Sequence, residues 1–415
     1  MEKNAASLPS DLKDSNRRLV LEAFCRRAEN SAVMIAEETG LSRQTVKKCI
    51  DYYIGIGTLE SCGKGASTSI GGKRPDMYRF QSNIRLVSIQ MHHRDVEVAS
   101  FDLNGRQVGQ WNSGDMSFRC FDEVLKQIEI GYSLLSAADA KGRTLIVTLS
   151  SPLGHSEDHR LNEAIPYPSW PDTDFMRDVQ SSVARVIPSA RQIELYSDGT
   201  AAGAALLQRD YAKFNSKIYV TFYTSNGIGG SLFIHGVPQN SRLSAVCAMG
   251  HYIVSPEDPE PCFCGNHGCL ERQVSRERLR RRLAARPEEY AASVLGQQDV
   301  ETVTYRDIFR GAAMGDRLCQ QESRRSADHF AVAVKNLILT LSPDYIVFQG
   351  EFGAADTVFR RELQSQIEVM KMLRSYKGEI CYDPHPLNEE EALGNSYRML
   401  REFVTNNEML LTERK

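Results

Sequence analysis

The run Pro261-Cys262-Phe263-Cys264-Gly265-Asn266-His267-Gly268-Cys269-Leu270-Glu271 constrains this chain more than any other stretch, because it sets three thiols within eight positions among glycines suited to tight turns. Zinc takes four thiolate or imidazole ligands in a tetrahedron, so a Cys-x-Cys-x4-Cys knuckle supplies three ligands and leaves one position open. His251, eleven residues upstream, is the best-placed residue to fill it. Gly265 and Gly268 let the backbone fold sharply enough for the three sulfurs to converge. The alternative is a set of buried or disulfide-linked cysteines.

A chain of 415 residues is long enough for two or three domains with substantial cores. With 41% hydrophobic and 25% charged residues it has an ordinary globular composition, which excludes disorder and fibre. No apolar run approaches the roughly 20 residues that span a bilayer, and no signal-peptide core is present, so a cytoplasmic protein without a membrane partner is expected. Cys25, Cys49, Cys62, Cys120, Cys247, Cys319 and Cys381 are scattered singly and read as buried thiols. Residues 1–80 carry 13 Lys and Arg against 10 Asp and Glu, whereas the remainder carries 37 against 43. That basic excess is modest and does not by itself argue for nucleic acid.

Three short helical patterns occupy about 15–53. Ser42 caps the third after the Gly40-Leu41 turn, and Val46, Cys49, Ile50 and Tyr53 then repeat at i, i+3, i+4 and i+7 as one buried face. Arg43, Gln44, Lys47 and Lys48 point away from that face near the helix start. In a helix-turn-helix the second helix presents its early residues to base edges in the major groove. Arg43 and Gln44 have the hydrogen-bonding forks for base reading; Thr45, Lys47 and Lys48 suit phosphates or neighbouring bases. Ser31 to Thr39 would be the first helix of the pair. Gly57 to Phe80 follows as a hairpin pattern with a Gly-, Ser- and Lys-rich tip, a wing whose Lys73 and Arg74 would enter the minor groove or hold phosphates. The alternative is a three-helix interaction module with merely solvated charges.

Beyond residue 84 strands and helices alternate. Ile84 to Ile89, Val96 to Phe101, Leu145 to Leu149, Ile193 to Tyr196 and Lys217 to Tyr223 read as strands; 121–136, 200–210, 325–340 and 355–373 read as helices. This is α/β organisation, with enough chain for two lobes around a cleft. The turn Thr224 to Gly230 is either an anion- or sugar-approaching loop or a plain hairpin. Asp198, past a strand end, either faces a cleft or caps the helix that begins there.

Together these pieces resemble the ROK family (repressors, open reading frames and sugar kinases), specifically its winged-helix regulators of the xylose-repressor and N-acetylglucosamine-repressor type. The similarity runs over about 11–405. Gly250-His251 with Cys262 to Glu271 carries it most strongly, supported by Ser225 to Gly230, Ile234-His235-Gly236 and Ser342 to Val347. At the N-terminus Asn16 to Leu21, Gly40 to Val46 and Gly71 to Pro75 look like the regulators' DNA-binding half.

The resemblance implies a winged helix-turn-helix at 11–80 followed by a two-lobed, actin-like (ribonuclease H-like) sugar-kinase fold at 84–405. Lobe 1 would comprise about 84–200 with 385–405, and lobe 2 about 201–384. It implies zinc held by His251, Cys262, Cys264 and Cys269, and an effector site of Ser197, Asp198, His251 and Glu271. The family's Asn-Asp pair falls on Ser197-Asp198, so only the aspartate is kept, and its sugar-contacting glutamate is Ala248. The kinases' Asp-x-Gly-Gly-Thr phosphate loop is replaced by Ser88-Ile89-Gln90-Met91-His92-His93, and the second glycine pair by Gln349-Gly350. Phosphoryl transfer depends on positioning and charge neutralisation, so no catalytic activity is expected. The expected partners are double-stranded operator DNA, a sugar or sugar-derivative effector, and further copies of the chain in a homodimer or tetramer; with Ser197 and Ala248 in place of two sugar-reading groups, the alternative is a regulator that senses a non-sugar ligand or a protein partner.

Overall fold

The computed structural model describes residues 9–66, 74–92, 94–116, 118, 120–139, 142–151, 175–225, 227–239, 248–262 and 264–411. Lys73 with the rest of the wing tip, His93, Asn226, Cys247 and Phe263 lie outside the described residues. The chain divides into two compact units, Met1–Leu149 with Val179–Leu195 and Asn395–Lys415, and Ser150–Asp178 with Tyr196–Gly394.

The first unit opens with α1 (Pro9–Arg26), β1 (Asn30–Ser31), α2 (Ala32–Thr39), α3 (Arg43–Gly55), β2 (Leu59–Lys64) and β3 (Asp76–Phe80). Ser31 Oγ caps α2 by accepting from Met34 N at 3.3 Å. Gly40 ends α2 at φ +73°, a left-handed turn that favours glycine, with its amide on Ala36 O. Ser42 Oγ then accepts from Thr45 N at 3.1 Å and starts α3. Val46, Cys49, Ile50 and Tyr53 are the buried residues of α3, as their spacing requires. β2 and β3 form the wing hairpin, and β1 completes an antiparallel sheet in the order β1-β3-β2. The Phe80 ring lies 5.9 Å from Phe24 and 6.2 Å from Phe403.

The rest of this unit is β4 (Ile84–Met91), β5 (Val96–Phe101), β6 (Gln107–Asn112), α4 (Phe121–Ala138), β7 (Arg143–Ser151), α5 (Phe175–Val186) and β8 (Gln192–Ser197), with sheet order β6-β5-β4-β7-β8. Ser88 to Met91, where the kinases of the resembling family hold phosphate, is the end of a regular strand. Ser88 and Gln90 are fully buried, and Ser88 Oγ accepts from Asn395 Nδ2 at 2.9 Å.

The second unit contains α6 (Asp198–Arg209), α7 (Tyr211–Phe214), β9 (Ile218–Thr224), β10 (Ile228–Ile234), β11 (Val237–Pro238), α8 (Leu270–Gln273), α9 (Arg276–Ala284), α10 (Pro287–Ala292), α11 (Tyr305–Ala313), α12 (Arg317–Leu341), β12 (Tyr345–Gly350), α13 (Thr357–Val369), β13 (Glu379–Tyr382) and the start of α14 (Leu387–Leu411). Its sheet order, β11-β10-β9-β12-β13, repeats that of the first sheet: a three-strand meander with two strands added beside its first member. Tyr219 turns to one face of β9 and stacks on Phe233 at 4.7 Å; Phe222 turns to the other and meets Phe330 of α12 at 5.4 Å. Phe348, Phe352 and Phe359 extend that aromatic core.

Two helix expectations change. The stretch 325–340 is the C-terminal part of the longer α12, which begins at Arg317 and which Asp316 caps through Cys319 N at 2.9 Å. The stretch 355–373 breaks at Met370 into α13 and the 3-10 turn Lys371–Ser375. Among the described residues no helix is long and apolar enough to cross a membrane.

Candidate functional site

His251, Cys262, Cys264 and Cys269 converge, with one ligand atom from each lying within 4.8 Å of every other. His251 Nδ1 is 3.5 Å from Cys262 Sγ, and Cys264 Sγ is 3.5 Å from Cys269 Sγ. A tetrahedron with zinc–sulfur bonds of about 2.3 Å and a zinc–nitrogen bond of about 2.0 Å has edges of about 3.5–3.8 Å, the spacing of these two pairs. The disulfide alternative fails, because 3.5 Å far exceeds a bond of about 2.05 Å and all three thiols are free. Gly265 at φ +89° and Gly268 at φ +70° make the sharp turns that bring the sulfurs round. Short bridges, Ile253 to Cys269 and Pro261 to His267, close the knuckle. Burial and the neighbouring sulfurs push the Cys269 thiol well above its ordinary range. A cation at the centre would reverse that balance by favouring thiolates. The donor set and spacing fit a metal ion.

The knuckle leads directly into the second set of expected residues. Glu271, in the first turn of α8, accepts from Ile228 N through Oε2 at 2.8 Å. Gly250 packs so tightly that a Cβ would overlap the Ile228 carbonyl, which places the His251 segment against β10. Thr224 pairs with Ile228 across β9 and β10, so the glycine-rich turn is a hairpin. The Ile228 amide is held by Glu271, and the Ser225 amide by Gly227 O at 3.0 Å.

Asp198 reaches the same neighbourhood because α6 begins with small residues. A Cβ on Gly199 would come within 2.9 Å of Gly230 O, so only glycine lets the helix start touch β10 this closely. Ser197 rather than Asp198 caps α6, its Oγ accepting from Thr200 N at 3.1 Å. Asp198 therefore occupies the first helical turn, where its Oδ1 accepts from Gly199 N at 2.6 Å.

Composition and spacing missed a buried carboxylate beside it. Glu391, 1% exposed, accepts from Tyr223 Oη at 2.6 Å and from Ser150 Oγ at 3.3 Å. Burial, together with the charges of Glu391 and Asp198, raises the Tyr223 phenol far above its ordinary range. The signal available was the acidic run Glu389-Glu390-Glu391, whose last two members fall on the buried side of α14. A small, open cleft lies between the hairpin turn, Glu271, Arg276 and Glu351. Glu351, 7% exposed, is held by Arg276 Nε at 2.6 Å and by Tyr305 N at 3.1 Å.

At the N-terminus, Arg43, Gln44, Lys47 and Lys48 are exposed on α3, Thr45 is half-buried, and Ser42 serves as the cap. Arg74 is exposed at the near edge of the wing. Lys47, expected to reach phosphates or bases, bonds Asp51 Oδ1 at 2.6 Å and the Tyr78 hydroxyl at 3.1 Å, which ties the helix to the wing.

Residues 133–400 match the ROK family. The chain belongs to the ROK family. This ROK protein is 22% identical over 397 residues to the xylose repressor of Bacillus subtilis (strain 168), covering 94% of this chain and 91% of the repressor. It is 26% identical over 187 residues to a glucokinase of Thermotoga maritima; that match takes in 45% of this chain and spans 58% of the kinase's length. Among solved structures, a ROK family transcriptional regulator described as a homolog of E. coli MLC protein aligns with a TM-score of 0.76 at 16% identity, over 96% of this chain and 99% of that one. That likeness establishes the fold as the α/β, actin-like ROK architecture.

Proposed function

We propose that this ROK protein is a sugar-responsive, DNA-binding transcriptional regulator, a repressor of carbohydrate-utilisation genes whose ROK domain senses an effector without phosphorylating it. One observation carries the reading: a capped helix pair and wing, with Arg43, Gln44 and Lys48 exposed on the second helix, precede the ROK fold in a chain matched over 94% of its length by a xylose repressor. Residues 11–80 are assigned to DNA and 84–405 to the sensor, with lobe 1 at about 84–200 plus 385–405 and lobe 2 at about 201–384. Ser42, Arg43, Gln44, Thr45, Lys47, Lys48 and Arg74, with Lys73, form the DNA-facing set. Two copies would place their recognition helices about 34 Å apart on a palindromic operator.

Zinc at His251, Cys262, Cys264 and Cys269 acts in this reading as a structural clamp. Glu271 on Ile228 N links the clamp to the hairpin turn, and Ser197, Asp198, His251 and Glu271 face the effector. A sugar regulates DNA binding through its different affinities for the two dimer geometries. Titration of fluorescent operator fragments at several salt concentrations, with and without a panel of sugars, amino sugars and their phosphates, tests this. Absence of salt-dependent operator binding under every condition would sink it.

The kinase reading draws on Asp198 and on the glucokinase match. Against it stands regular strand at Ser88 to Met91, where a phosphate loop is needed. Sugar-dependent ATP turnover abolished by Asp198→Asn would establish it instead.

A further inference from the structure

We propose that Asp383, His385 and Glu390 form a second cation site, one that takes a divalent first-row ion such as Mn²⁺ through one imidazole and two carboxylates. None of the three belongs to the cysteine knuckle or to the effector set. One ligand atom from each lies within 4.8 Å of the others. The backbone prepares this arrangement. Asp383 follows β13, its amide donates to Phe348 O at 2.8 Å, and Gly353 packs so closely that a Cβ would overlap the Asp383 carbonyl oxygen. Glu390 projects from the first turns of α14.

The charge and hydrogen-bond balance is incomplete without a cation. Glu390 is fully buried; Arg209 Nε bonds its Oε1 at 2.8 Å, but Oε2 has no partner. Gln349, also fully buried, donates from Nε2 to Asp383 Oδ2 at 3.1 Å and to Ala202 O at 3.1 Å, leaving Oε1 without a partner. Buried carboxylates are paired or coordinate metals; Asp383 accepts from the His385 amide at 3.2 Å and contacts His385 Nδ1, whereas Glu390 has Arg209 on one oxygen only.

His385 opens the cluster to solvent, its side chain being 43% exposed, which gives an ion a way in and room for water ligands. Its Nδ1 contacts Asp383 Oδ1. Coordination through Nδ1 requires the tautomer protonated on Nε2, so the ion replaces the Nδ1 proton as the bridge between imidazole and carboxylate. Two hard oxygens with one imidazole and no thiolate suit Mn²⁺, whereas the three-thiolate knuckle suits zinc.

The test is a Mn²⁺ titration of the full-length, zinc-loaded protein, with free Mn²⁺ read by electron paramagnetic resonance. One saturable site per chain is expected, weakened at least tenfold in both His385→Gln and Glu390→Gln and retained in Cys264→Ser. Circular dichroism of each variant confirms folding, and His385→Gln decides the matter if Glu390→Gln fails to fold. No saturable site in the wild type, unchanged affinity in His385→Gln, or loss of the site in Cys264→Ser would each overturn the assignment.

Discussion

Alanine at Gly268 and alanine at Gly265 put the same methyl group on two left-handed positions of one knuckle, and the structure assigns them different costs. Both residues have positive φ, +70° and +89°, where a non-glycine residue costs about 1–2 kcal/mol. Around Gly265 nothing lies within 4 Å of the added carbon, so the cost ends there. At Gly268 the carbon overlaps the Ser255 carbonyl and approaches Pro256 N at 3.1 Å, all backbone that no rotamer change can clear. The chain must move. The amides of Val254 and Ser255 then release Gly268 O, which they hold at 2.9 and 3.2 Å, at about 1 kcal/mol for each lost bond.

Gly268→Ala should therefore cost about 3–4 kcal/mol and Gly265→Ala about 1–2 kcal/mol. Because the adjacent Cys269 is a ligand in the proposed zinc site, the same energies should appear in metal affinity, at about 1.4 kcal/mol per tenfold change. Competition with a chromophoric zinc chelator should show affinity lowered by more than a hundredfold in Gly268→Ala and by about tenfold in Gly265→Ala, with urea unfolding giving the same order. Equal losses in the two variants would refute the reasoning, since it rests on the Ser255 overlap alone.

Lys48→Ala should weaken operator binding similarly for all sequences and lower the salt slope by about one phosphate contact, whereas Arg43→Ala should cost about 1–3 kcal/mol and relax base preference; fluorescence anisotropy over a salt series separates them. Phe330→Ala, which empties the centre of the ring cluster formed by Phe222, Phe348, Phe352 and Phe359, should cost about 3–5 kcal/mol in urea unfolding. Burial, then the charges of Arg282, Arg325 and Arg278, hold His329 down to about 4, with Asp258 pulling weakly the other way. The unfolded imidazole titrates near about 6.5, so it binds a proton that the folded state refuses. Stability is thus complete above that value and falls as pH drops toward 4. His329→Gln should remove about 2 kcal/mol of the stability lost between pH 7 and pH 4.5, allowing for partial solvent screening, and the same loss in wild type and variant by urea unfolding at the two pH values would count against it.

The features legible in the chain alone are those whose partners lie within a turn or two. Ser42 caps α3 through a residue three positions on, and Gly40 stops α2 through one four positions back. Val46, Cys49, Ile50 and Tyr53 share a face because of the helical repeat, and three sulfurs converge because two glycines turn the backbone between them. Spacing fixes such geometry before any tertiary contact forms. Long-range closeness has no such signature. The twofold repeat of sheet order, the contact of Gly199 with Gly230, and the burial of Glu391 against Tyr223 and Ser150 join residues 31 to 241 positions apart. In the arginine-rich helix α9, Arg282 is held at 2.8 Å by Glu322, which is 1% exposed and 40 positions away. Residue types decided which local turns and faces could form; which buried charges meet was decided only when the packed sheets and helices removed water from between them, where an unpaired carboxylate is too costly to leave alone.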